Sequence, residues 1–487
     1  MRDDAVVYQV YLRSFQDADG DGVGDLLGLT GRLDHLTWLG VDALWVSPIY
    51  PSPLADFGYD VSDHSAVDPV YGTLGDFNGL VEACHKLGLE LLLDLVLCHT
   101  SIEHPWFRAH PDRYVWSEGG PANNWVASFG GSAWSLDAVS GRWYLHSFFP
   151  EQPDLDWRHP DVASAMFDVA RLWLDRGADG FRLDALTALL KDSALRDDGV
   201  AREPFALALH PQRARLDLRR SRNSPELPTL LARLRDLVDD HYLVGEVGLP
   251  TASLKPYLDH LDSAFAFEVF HGAWDAVTLR RGIELTIQTH GRRGRVAWLT
   301  SNHDYPRLAS RVGADDERVA AMLLLTLPGS VFIYQGDEIG QRDGPGRRPP
   351  LDRAGRDAFR HPMQWNSSDR AGFTTGCPWL PCVDPQARNV ADQQRDRESL
   401  LWLYRKLIGL RRRLGPELEF LDCQPDVLAY RRGEYIIALN LGDDTQPASR
   451  RGEVILATHP QSLGQTLPPH SGVITRAHRK SSDGSGT

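Results

Sequence analysis

Three carboxylates follow short apolar segments at positions where they could act together. Asp184 ends GFRLD, Glu246 follows VG, and Asp304 closes SNHD. Two converging carboxylates suit glycoside cleavage, because one can donate a proton to the leaving oxygen while the other stays ionised and attacks. A third can stabilise a cationic transition state electrostatically. Any one of these acids alone is better explained by a structural ion pair, but the three together indicate chemistry.

A basic residue accompanies the first of these acids. Arg182 precedes Asp184 by two residues, so both side chains lie on the same face of an extended strand. A guanidinium so close to a carboxyl group favours its ionised form. We therefore expect Arg182 to hold Asp184 ionised, as an attacking carboxylate requires.

Strands of a closed sheet would bring these distant acids together. Short apolar segments recur as far as Tyr334 and are near-continuously apolar, as is typical of strands buried on both faces of a parallel sheet. Helical patterns lie between several of them, at Leu26–Leu39, Leu74–Leu87 and Leu230–Val238. This alternation predicts an α/β fold, a (β/α)8 TIM barrel with its catalytic residues at the carboxyl ends of the strands. The predicted strands are Val6–Val10, Ala43–Val46, Leu89–Leu97, Gly180–Leu183, Tyr242–Val244, Ala264–Phe267, Val296–Leu299 and Ser330–Tyr334.

The spacing of the strands divides the chain further. About 80 residues separate the third predicted strand from the fourth, which is too long for an ordinary loop and helix. Alternating apolar segments near the C-terminus indicate an antiparallel sheet. The predicted parts are a catalytic barrel at 1–98 and 159–412, an irregular domain inserted after strand 3 at 99–158, a second insertion at 192–228, a C-terminal antiparallel β-domain at 413–475 and a disordered tail at 476–487.

Composition excludes several classes of protein. Of the 487 residues 42% are hydrophobic, which is ample for a folded core. The net charge of −14 argues against a nucleic-acid partner and favours a neutral or cationic ligand. Without a long apolar segment or a signal-peptide pattern, we expect a cytoplasmic protein with no membrane partner. The five cysteines are then expected to be reduced, although Cys377 and Cys382 are close enough in sequence to be bridged.

A second group of acids lies in one loop near the N-terminus. Asp17, Asp19, Asp21 and Asp25 alternate within nine residues, with the spacing of an EF-hand loop through its ninth position. The acid of the twelfth position is missing, because Gly28 stands there. Four aspartates this close would repel one another without a cation, so a metal site is favoured over an acidic solvated turn.

Taken in order, these motifs resemble a known family. DLVLCHTS, GFRLDA, VGEV and SNHD are similar to the four signature regions of the α-amylase superfamily, glycoside hydrolase family 13. FGYDVSDH, QGDEIG and RHPMQW resemble its α-glucosidase and oligo-1,6-glucosidase branch. The resemblance implies a retaining, exo-acting α-glucosidase with Asp184 as nucleophile, Glu246 as acid/base and Asp304 as transition-state stabiliser. Its substrates would be small neutral α-glucosides, with transfer to a sugar or alcohol acceptor as a further activity.

The resemblance also implies roles for surrounding residues. One arginine of GRDAFR would pair with Asp56 and close the pocket behind the terminal glucose, although for each aromatic taken singly core packing is an equal explanation. The implied substrate-binding residues are Asp56, Tyr59, His99, Phe129, Phe148, Gln152, Arg182, His303, Arg356 and Arg360. The implied metal is a structural Ca²⁺, with Mg²⁺ as the alternative, bound by Asp17, Asp19, Asp21, Asp25 and the carbonyl of Val23.

Four positions indicate how closely this chain follows the family pattern. Cys98 stands where many amylases have a calcium-binding Asn, so we expect no calcium at the inserted domain. His64 and His361 replace a Tyr and a Thr, and either shape the pocket wall or pack in the core. Ala185 follows the nucleophile, and a small residue there favours maltose-like α-1,4 glucosides in this branch.

Other functions stay open at this point. A sucrose-acting, trehalose-forming or isomaltulose-forming transferase or isomerase of the same family would carry the same acids and exclude water from its acceptor site. A non-catalytic transporter subunit, from another class, would be expected to lose the acids and to carry a membrane anchor. The sequence gives no indication of oligomeric state.

Overall fold

Eight parallel strands close into a barrel, which confirms the predicted fold class. The computed structural model describes residues 1–203, 208–291, 295–447, 452–459 and 466–477. Each barrel strand pairs with its neighbours in chain order, and the last strand pairs with the first. The barrel strands are β1 (Val6–Val10), β2 (Ala43–Val46), β3 (Glu90–Leu95), β4 (Gly180–Leu183), β5 (Tyr242–Gly245), β6 (Ser263–Phe265), β7 (Val296–Leu299) and β8 (Ser330–Tyr334).

Side chains fill the barrel from within. Trp45 packs against Phe265 and Phe332, which in turn contact each other edge to face at 5.0 Å between ring centroids. The alternate residues of the same strands face outward and join the larger core beneath the helices. Burial on both faces explains why these segments are near-continuously apolar.

Helices cover the outside of the barrel. The predicted helix Leu26–Leu39 is two helices, because the chain leaves the helical path at Gly31 and Arg32. The helix Leu74–Lys86 begins with a capping box at Thr73 and stops before Gly88, whose φ of +73° favours glycine. The helices of five or more residues are Leu26–Thr30, Leu33–Leu39, Leu74–Lys86, Pro105–Ala109, Pro160–Asp175, Leu227–Val238, Phe267–His271, Ala276–His290, Leu308–Thr326, Val390–Arg395 and Leu400–Arg411.

Two segments interrupt the barrel after β3 and β4. The first contains a three-stranded antiparallel sheet, of strands Trp116–Ser117, Trp134–Leu136 and Trp143–Leu145, with a small core around Trp125 and Trp134. The second contains a short strand pair, Gly199–Val200 with Leu216–Asp217, and the four-residue helix Pro211–Ala214. Both segments lie at the end of the barrel where the strand termini carry the predicted acids.

The C-terminal part is an antiparallel sheet, as predicted. Its strands in spatial order are Glu419–Phe420, Val427–Arg432, Tyr435–Asn440, Ser471–Arg476 and Glu453–Ala457, beside the pair Gln446–Pro447 and Thr466–Leu467. Arg476 pairs with Tyr435, so the disordered tail predicted from 476 is wrong at its first residue. The rest of that predicted tail, from 478, lies outside the described residues.

Two general expectations concern the whole chain. The five cysteines are all free, and no disulfide joins Cys377 to Cys382. None of the helices in the described part of the chain has the length and apolarity that a bilayer crossing requires.

A buried ion pair joins the inserted segment to the barrel. Lys191 Nζ lies 2.6 Å from Asp154 Oδ2, and both side chains are buried. Cys98 and His99 lie beside Asp154 in an arrangement that could hold a metal, but the Lys191 ammonium already contacts Asp154 and lies 3.7 Å from Cys98 Sγ. A fixed positive charge therefore balances Asp154 where Cys98 replaces the family's Asn.

Removing this ammonium should destabilise the fold. We expect Lys191→Met to lower the free energy of unfolding by about 3–5 kcal/mol, because it leaves the Asp154 carboxylate buried and unpaired. Lys406→Met, at a partly exposed lysine, should change it by less than about 0.5 kcal/mol. Urea unfolding measures both, and adding Asp154→Asn to Lys191→Met should recover part of the loss. Equal stability of the two lysine variants would contradict the assignment.

Candidate active site

One pocket at the carboxyl ends of the strands contains the three predicted acids. Asp184 follows β4, Glu246 follows β5 and Asp304 lies in the loop after β7. Parallel strands end at one rim of a barrel, so acids far apart in sequence become neighbours. Predicted binding residues that also line the pocket are Asp56, Tyr59, His99, Phe129, Phe148 and Arg356.

Arg182 lies at the centre of an acidic cluster. Its Nη1 atom is 2.7 Å from Asp94 Oδ1 and 2.7 Å from Asp184 Oδ1, and its Nη2 atom contacts Glu246. The Arg182 side chain is only 1% exposed. One buried guanidinium thus faces three carboxylates, so the cluster lacks the positive charge needed to ionise all three at little cost.

Arg182 favours the ionised form of Asp184, as expected, but burial and the neighbouring acids act against it. Burial raises the pKa of Asp184, and the charges of Glu246 and Asp94 raise it further, while Arg182 alone acts in the opposite direction. The net effect is a pKa well above the usual aspartate range. Burial likewise raises the pKa of Asp94 to about 6, against the opposing charge of Arg182. The raised pKa values of Asp94 and Asp184 mean that part of this cluster stays protonated at pH values where isolated carboxylates have lost their protons.

A hydrogen-bonded chain links His303 to this cluster. Gln9 donates its amide to His303 Nδ1 at 2.7 Å, which assigns the ring proton to Nε2. Nε2 lies 2.7 Å from Tyr59 Oη, and Tyr59 in turn donates to Asp94 Oδ2 at 3.0 Å. Burial lowers the pKa of His303 to about 3, so the imidazole is neutral at physiological pH and can donate only from Nε2.

Two arginines form ion pairs with Asp304. Its Oδ1 atom lies 2.9 Å from Arg356 Nη1 and 3.1 Å from Arg360 Nη2. Burial alone would raise the pKa of Asp304, but His303 and these two arginines lower it below the usual range. Asp304 is therefore ionised, in contrast to the Asp184 cluster. Arg356 also contacts Asp56, and Asp352 holds it through Nε at 2.6 Å.

The inserted segment completes this end of the pocket. Gln152 Nε2 donates to Asp56 Oδ2 at 3.0 Å and lies 2.9 Å from His99 Nε2. The Arg356 guanidinium carbon lies 5.1 Å from the centroid of the Phe129 ring, and Phe148 packs against His99. Both aromatics thus line the pocket and pack against its polar groups, which combines the two explanations left open by the sequence.

The two histidine departures lie away from the pocket. His64 is buried against Tyr50, with Nε2 3.2 Å from the Val96 carbonyl oxygen. His361 is buried as well, with Nδ1 2.7 Å from the Pro381 carbonyl oxygen. Neither lines the pocket, so both are core histidines rather than wall residues.

Sequence reasoning missed several polar residues of the site. Asp94 and Gln9 lie within barrel strands, where a polar residue inside an apolar segment was the available signal. Asp352 gave no such signal, because it lies in a loop rich in Pro, Gly and Arg. Arg213 and Arg222 also line the pocket. They gave no signal, because they belong to an Arg-rich insertion whose charges would ordinarily be solvated.

The acidic loop brings three of its predicted ligands together. Carboxylate oxygens of Asp17, Asp19 and Asp21 lie within 4.8 Å of one another, and in the described part of the chain none of the three forms an ion pair. Asp25 is not in this group; its oxygens accept from Ala18 and Gly28 N–H groups and cap a helix. Concentrated, uncompensated oxygen ligands fit a hard divalent cation.

Backbone packing fixes this loop. Gly22 has a φ of +97°, and a Cβ there would lie 1.9 Å from the Cys377 carbonyl oxygen. Any side chain would therefore displace the loop. The loop residues do not line the pocket, so a bound cation would act on stability.

Glycosidases are among the enzymes that carry acids at the strand ends of a barrel, and comparison with known proteins agrees with this class. A family model described as the α-amylase catalytic domain matches residues 9–418, and one described as a domain of unknown function, DUF3459, matches residues 410–474. The chain belongs to the α-amylase family, glycoside hydrolase family 13, and is a glycoside hydrolase.

Individual relatives support the same placement. A probable α-glucosidase of Rhizobium meliloti (strain 1021) is 39% identical over 478 residues, covering 88% of this chain and 86% of its own. A probable oligo-1,6-glucosidase 2 of Bacillus subtilis (strain 168) is 35% identical, covering 88% of each chain. The crystal structure of an α-glucosyl transfer enzyme, XgtA, is 36% identical with a TM-score of 0.90, covering 97% of this chain and 99% of that chain.

The shared guanidinium predicts a specific pH dependence. In the nucleophile role that the sequence predicts, Asp184 must be ionised to attack, so its raised pKa means that kcat/KM should fall on the acid side at a pH above the usual aspartate range. Asp94→Asn removes one of the charges that raise this pKa. The acid limb of the kcat/KM profile should therefore move to lower pH, by about half a unit or more.

A matched control separates this effect from a general one. Asp337 is also buried with a pKa raised to about 6, but it does not line the pocket. Asp337→Asn should leave the acid limb in place. An unchanged limb in Asp94→Asn, or an equal shift in both variants, would contradict the role given to Asp94.

Proposed function

We propose that this protein is an exo-acting α-glucosidase that hydrolyses terminal α-glucosidic bonds of short oligosaccharides. The observation that carries the proposal is the convergence of Asp184, Glu246 and Asp304 on one pocket. Asp184 and Glu246 share Arg182, whereas Asp304 is held separately by Arg356. The names of the relatives, α-glucosidase and oligo-1,6-glucosidase, agree with it. We also propose a cytoplasmic location.

The proposed mechanism is a retaining double displacement. Asp184 attacks the anomeric carbon while Glu246 donates a proton to the leaving oxygen, so the glycosidic C–O bond breaks as a covalent glucosyl ester forms. Glu246 then takes a proton from water, whose oxygen attacks the same carbon and releases Asp184. Asp304, ionised between Arg356 and Arg360, stabilises the positive charge of the sugar ring and accepts hydrogen bonds from its hydroxyls.

Exo action follows from the closed end of the pocket. Arg356 joins Asp56 and Asp304 there, and Arg353 lies over Phe149 with an ion pair to Glu151. These contacts tie the inserted segment to the loop after β8 and would close the pocket behind the terminal glucose. Polymers would therefore be poor substrates, because a chain cannot extend past this wall.

Linkage preference is proposed from the residue after the nucleophile. Ala185 lines the pocket with a φ of +44°, and its methyl group leaves more room for the leaving sugar than a branched side chain would. We propose α-1,4 glucosides such as maltose as the favoured class. Transfer to an acceptor hydroxyl in place of water is a second candidate activity, which the similarity to an α-glucosyl transfer enzyme favours.

Loss of either principal carboxylate should abolish hydrolysis. Asp184→Ala removes the attacking group and Glu246→Gln removes the exchangeable proton, so each should lower kcat/KM on an aryl α-glucoside by at least about 10³-fold. Thermal melting checks that the fold persists, and NMR of the first-formed product should show retained α configuration. Activity within a few-fold of wild type in either variant would refute the assignment.

We further propose a structural Ca²⁺, with Mg²⁺ as the alternative, at Asp17, Asp19 and Asp21. The Val23 carbonyl and Asp25 also stay proposed ligands. To bind the cation, Asp25 would have to turn away from the Ala18 and Gly28 N–H groups that donate to it. With free cation at 100 times its Kd, binding to the folded state alone adds about 2.7 kcal/mol to the free energy of unfolding. Chelation should lower Tm and added Ca²⁺ should restore it, whereas Asp17→Asn/Asp21→Asn should melt at a chelator-independent Tm. A wild-type Tm that ignores chelator would exclude the site.

A further inference from the structure

The insertion after β4 adds two arginines that the proposed mechanism does not use. Arg213 lies in the short helix Pro211–Ala214 and Arg222 follows in the next loop. Both line the pocket together with Glu246 and Tyr305, although their side chains are almost fully buried. Two cations at the wall of an active-site pocket call for a partner of opposite charge.

No such partner is present in the described part of the chain. Arg213 Nη1 and Arg222 Nη2 both donate to one neutral group, Ser128 Oγ, at 3.1 and 2.7 Å. Ser128 Oγ donates its own proton to the Ser147 carbonyl oxygen, which leaves its lone pairs free for both arginines. Arg222 also lies over the Phe148 ring, 5.3 Å from the centroid.

Other buried arginines of this protein are balanced in a different way. Arg182 and Arg356 each contact three carboxylates. Among the residues that the structure describes, no carboxylate pairs with Arg411, but four backbone carbonyl oxygens accept from its guanidinium. Arg213 and Arg222 have one shared hydroxyl. Burial lowers the pKa of Arg213 well below its usual value and the charge of Arg222 lowers it further, against the opposing charge of Asp198.

The position of the pair indicates which part of a substrate it would meet. Arg356 defines the closed end, beside Asp56 and Asp304. Burial lowers the pKa of Arg222 against the charges of Asp154, Glu246 and Asp184, and Glu246 and Tyr305 line the same pocket as both arginines. This is the side of the pocket on which Glu246 would protonate the leaving oxygen, so the arginines face the leaving group or the acceptor.

We infer that Arg213 and Arg222 form an oxyanion subsite, which binds a phosphate or carboxylate group carried by the leaving group or acceptor. The inference rests on the proposed α-glucosidase function and narrows its substrate class to anionic α-glucosides. Guanidinium groups suit this ligand, because each can present two parallel N–H donors to two oxygens of a phosphate or carboxylate. The oxyanion takes no part in bond cleavage: the glycosidic bond breaks and the leaving oxygen gains the proton of Glu246 as before.

Matched substrate pairs test the subsite. Maltose is compared with the same disaccharide phosphorylated at O6 of its reducing-end glucose, and α-glucosyl glycerol with α-glucosyl glycerate. At low ionic strength, the anionic member of at least one pair should have a kcat/KM at least about tenfold higher, mainly through a lower KM. The phosphate pair and the carboxylate pair together tell which oxyanion is preferred.

Variants connect the preference to the two arginines. Arg213→Gln and Arg222→Gln keep a donor for Ser128 but remove the charge, so each should bring the anionic-to-neutral ratio to within about threefold of unity while neutral substrate is still cleaved. Arg219→Gln, at an exposed arginine of the same insertion that pairs with Asp217, should keep the wild-type ratio. Inorganic phosphate should inhibit wild-type hydrolysis of a neutral aryl α-glucoside competitively and inhibit Arg213→Gln more weakly.

The outcomes separate this inference from the proposed function. If wild type cleaves both members of each pair equally well and inorganic phosphate does not inhibit it, the subsite is refuted and the α-glucosidase function stands. An equal loss on anionic and neutral substrates in both arginine variants would also refute it, since that result indicates a structural role. If wild type cleaves no member of either pair and no aryl α-glucoside, the proposed function itself fails.

Discussion

The active site depends on one buried guanidinium. Arg182 neutralises part of the charge of the buried Asp94 and Asp184 and of the partly exposed Glu246, which could not lie this close together without it. Strand register makes this contact: Asp94 on β3 and Val244 on β5 both lie opposite Arg182 on β4. Because the partners come from neighbouring strands of a closed barrel, their separation is set by hydrogen-bonded backbone and not by mobile loops. The excess of acid over base then raises the pKa of Asp94 and Asp184.

A second charge network faces the first, and it is built differently. Asp304 and Asp56 reach Arg356 from loops, and Asp352, which does not line the pocket, contacts the Nε atom of that arginine. Here Arg356 and Arg360 both contact Asp304, so the pKa of Asp304 is lowered, whereas the pKa of Asp184, which shares one arginine with two other acids, is raised. Two carboxylates in one pocket thus acquire different protonation behaviour from their surroundings alone. The strand ends supply the half of the site that we propose to react, and the loops supply the half that we propose to hold the terminal sugar.

The sequence predicts the first half better than the second, for a physical reason. Apolar strands that are buried on both faces leave a strong signal, so β1, β2, β4, β7 and β8 match their predicted ends, and acids at strand ends could be located. Asp94 was overlooked because its partner lies on another strand, and pairing register is not encoded locally. Asp352, Arg213 and Arg222 could not be found at all, because only the folded loops bring them to the pocket. The sequence predicts one continuous helix at Leu26–Leu39 because the apolar spacing persists across the break at Gly31.

Net charge is a poor guide to what such a pocket binds. The value of −14 favoured a neutral or cationic ligand, yet most of the acids behind it are solvated and screened within about 8–10 Å at physiological ionic strength. Charges in a buried wall are screened far less, so two arginines beside Glu246 outweigh many surface acids in the field that a bound ligand feels. Surface acidity can slow the approach of an anionic substrate, but an anionic group bound at the proposed subsite would lie closest to the guanidinium groups of Arg213 and Arg222. The charge of the ligand is therefore decided by the groups that the insertion after β4 adds to the pocket, and the composition of the chain averages over them.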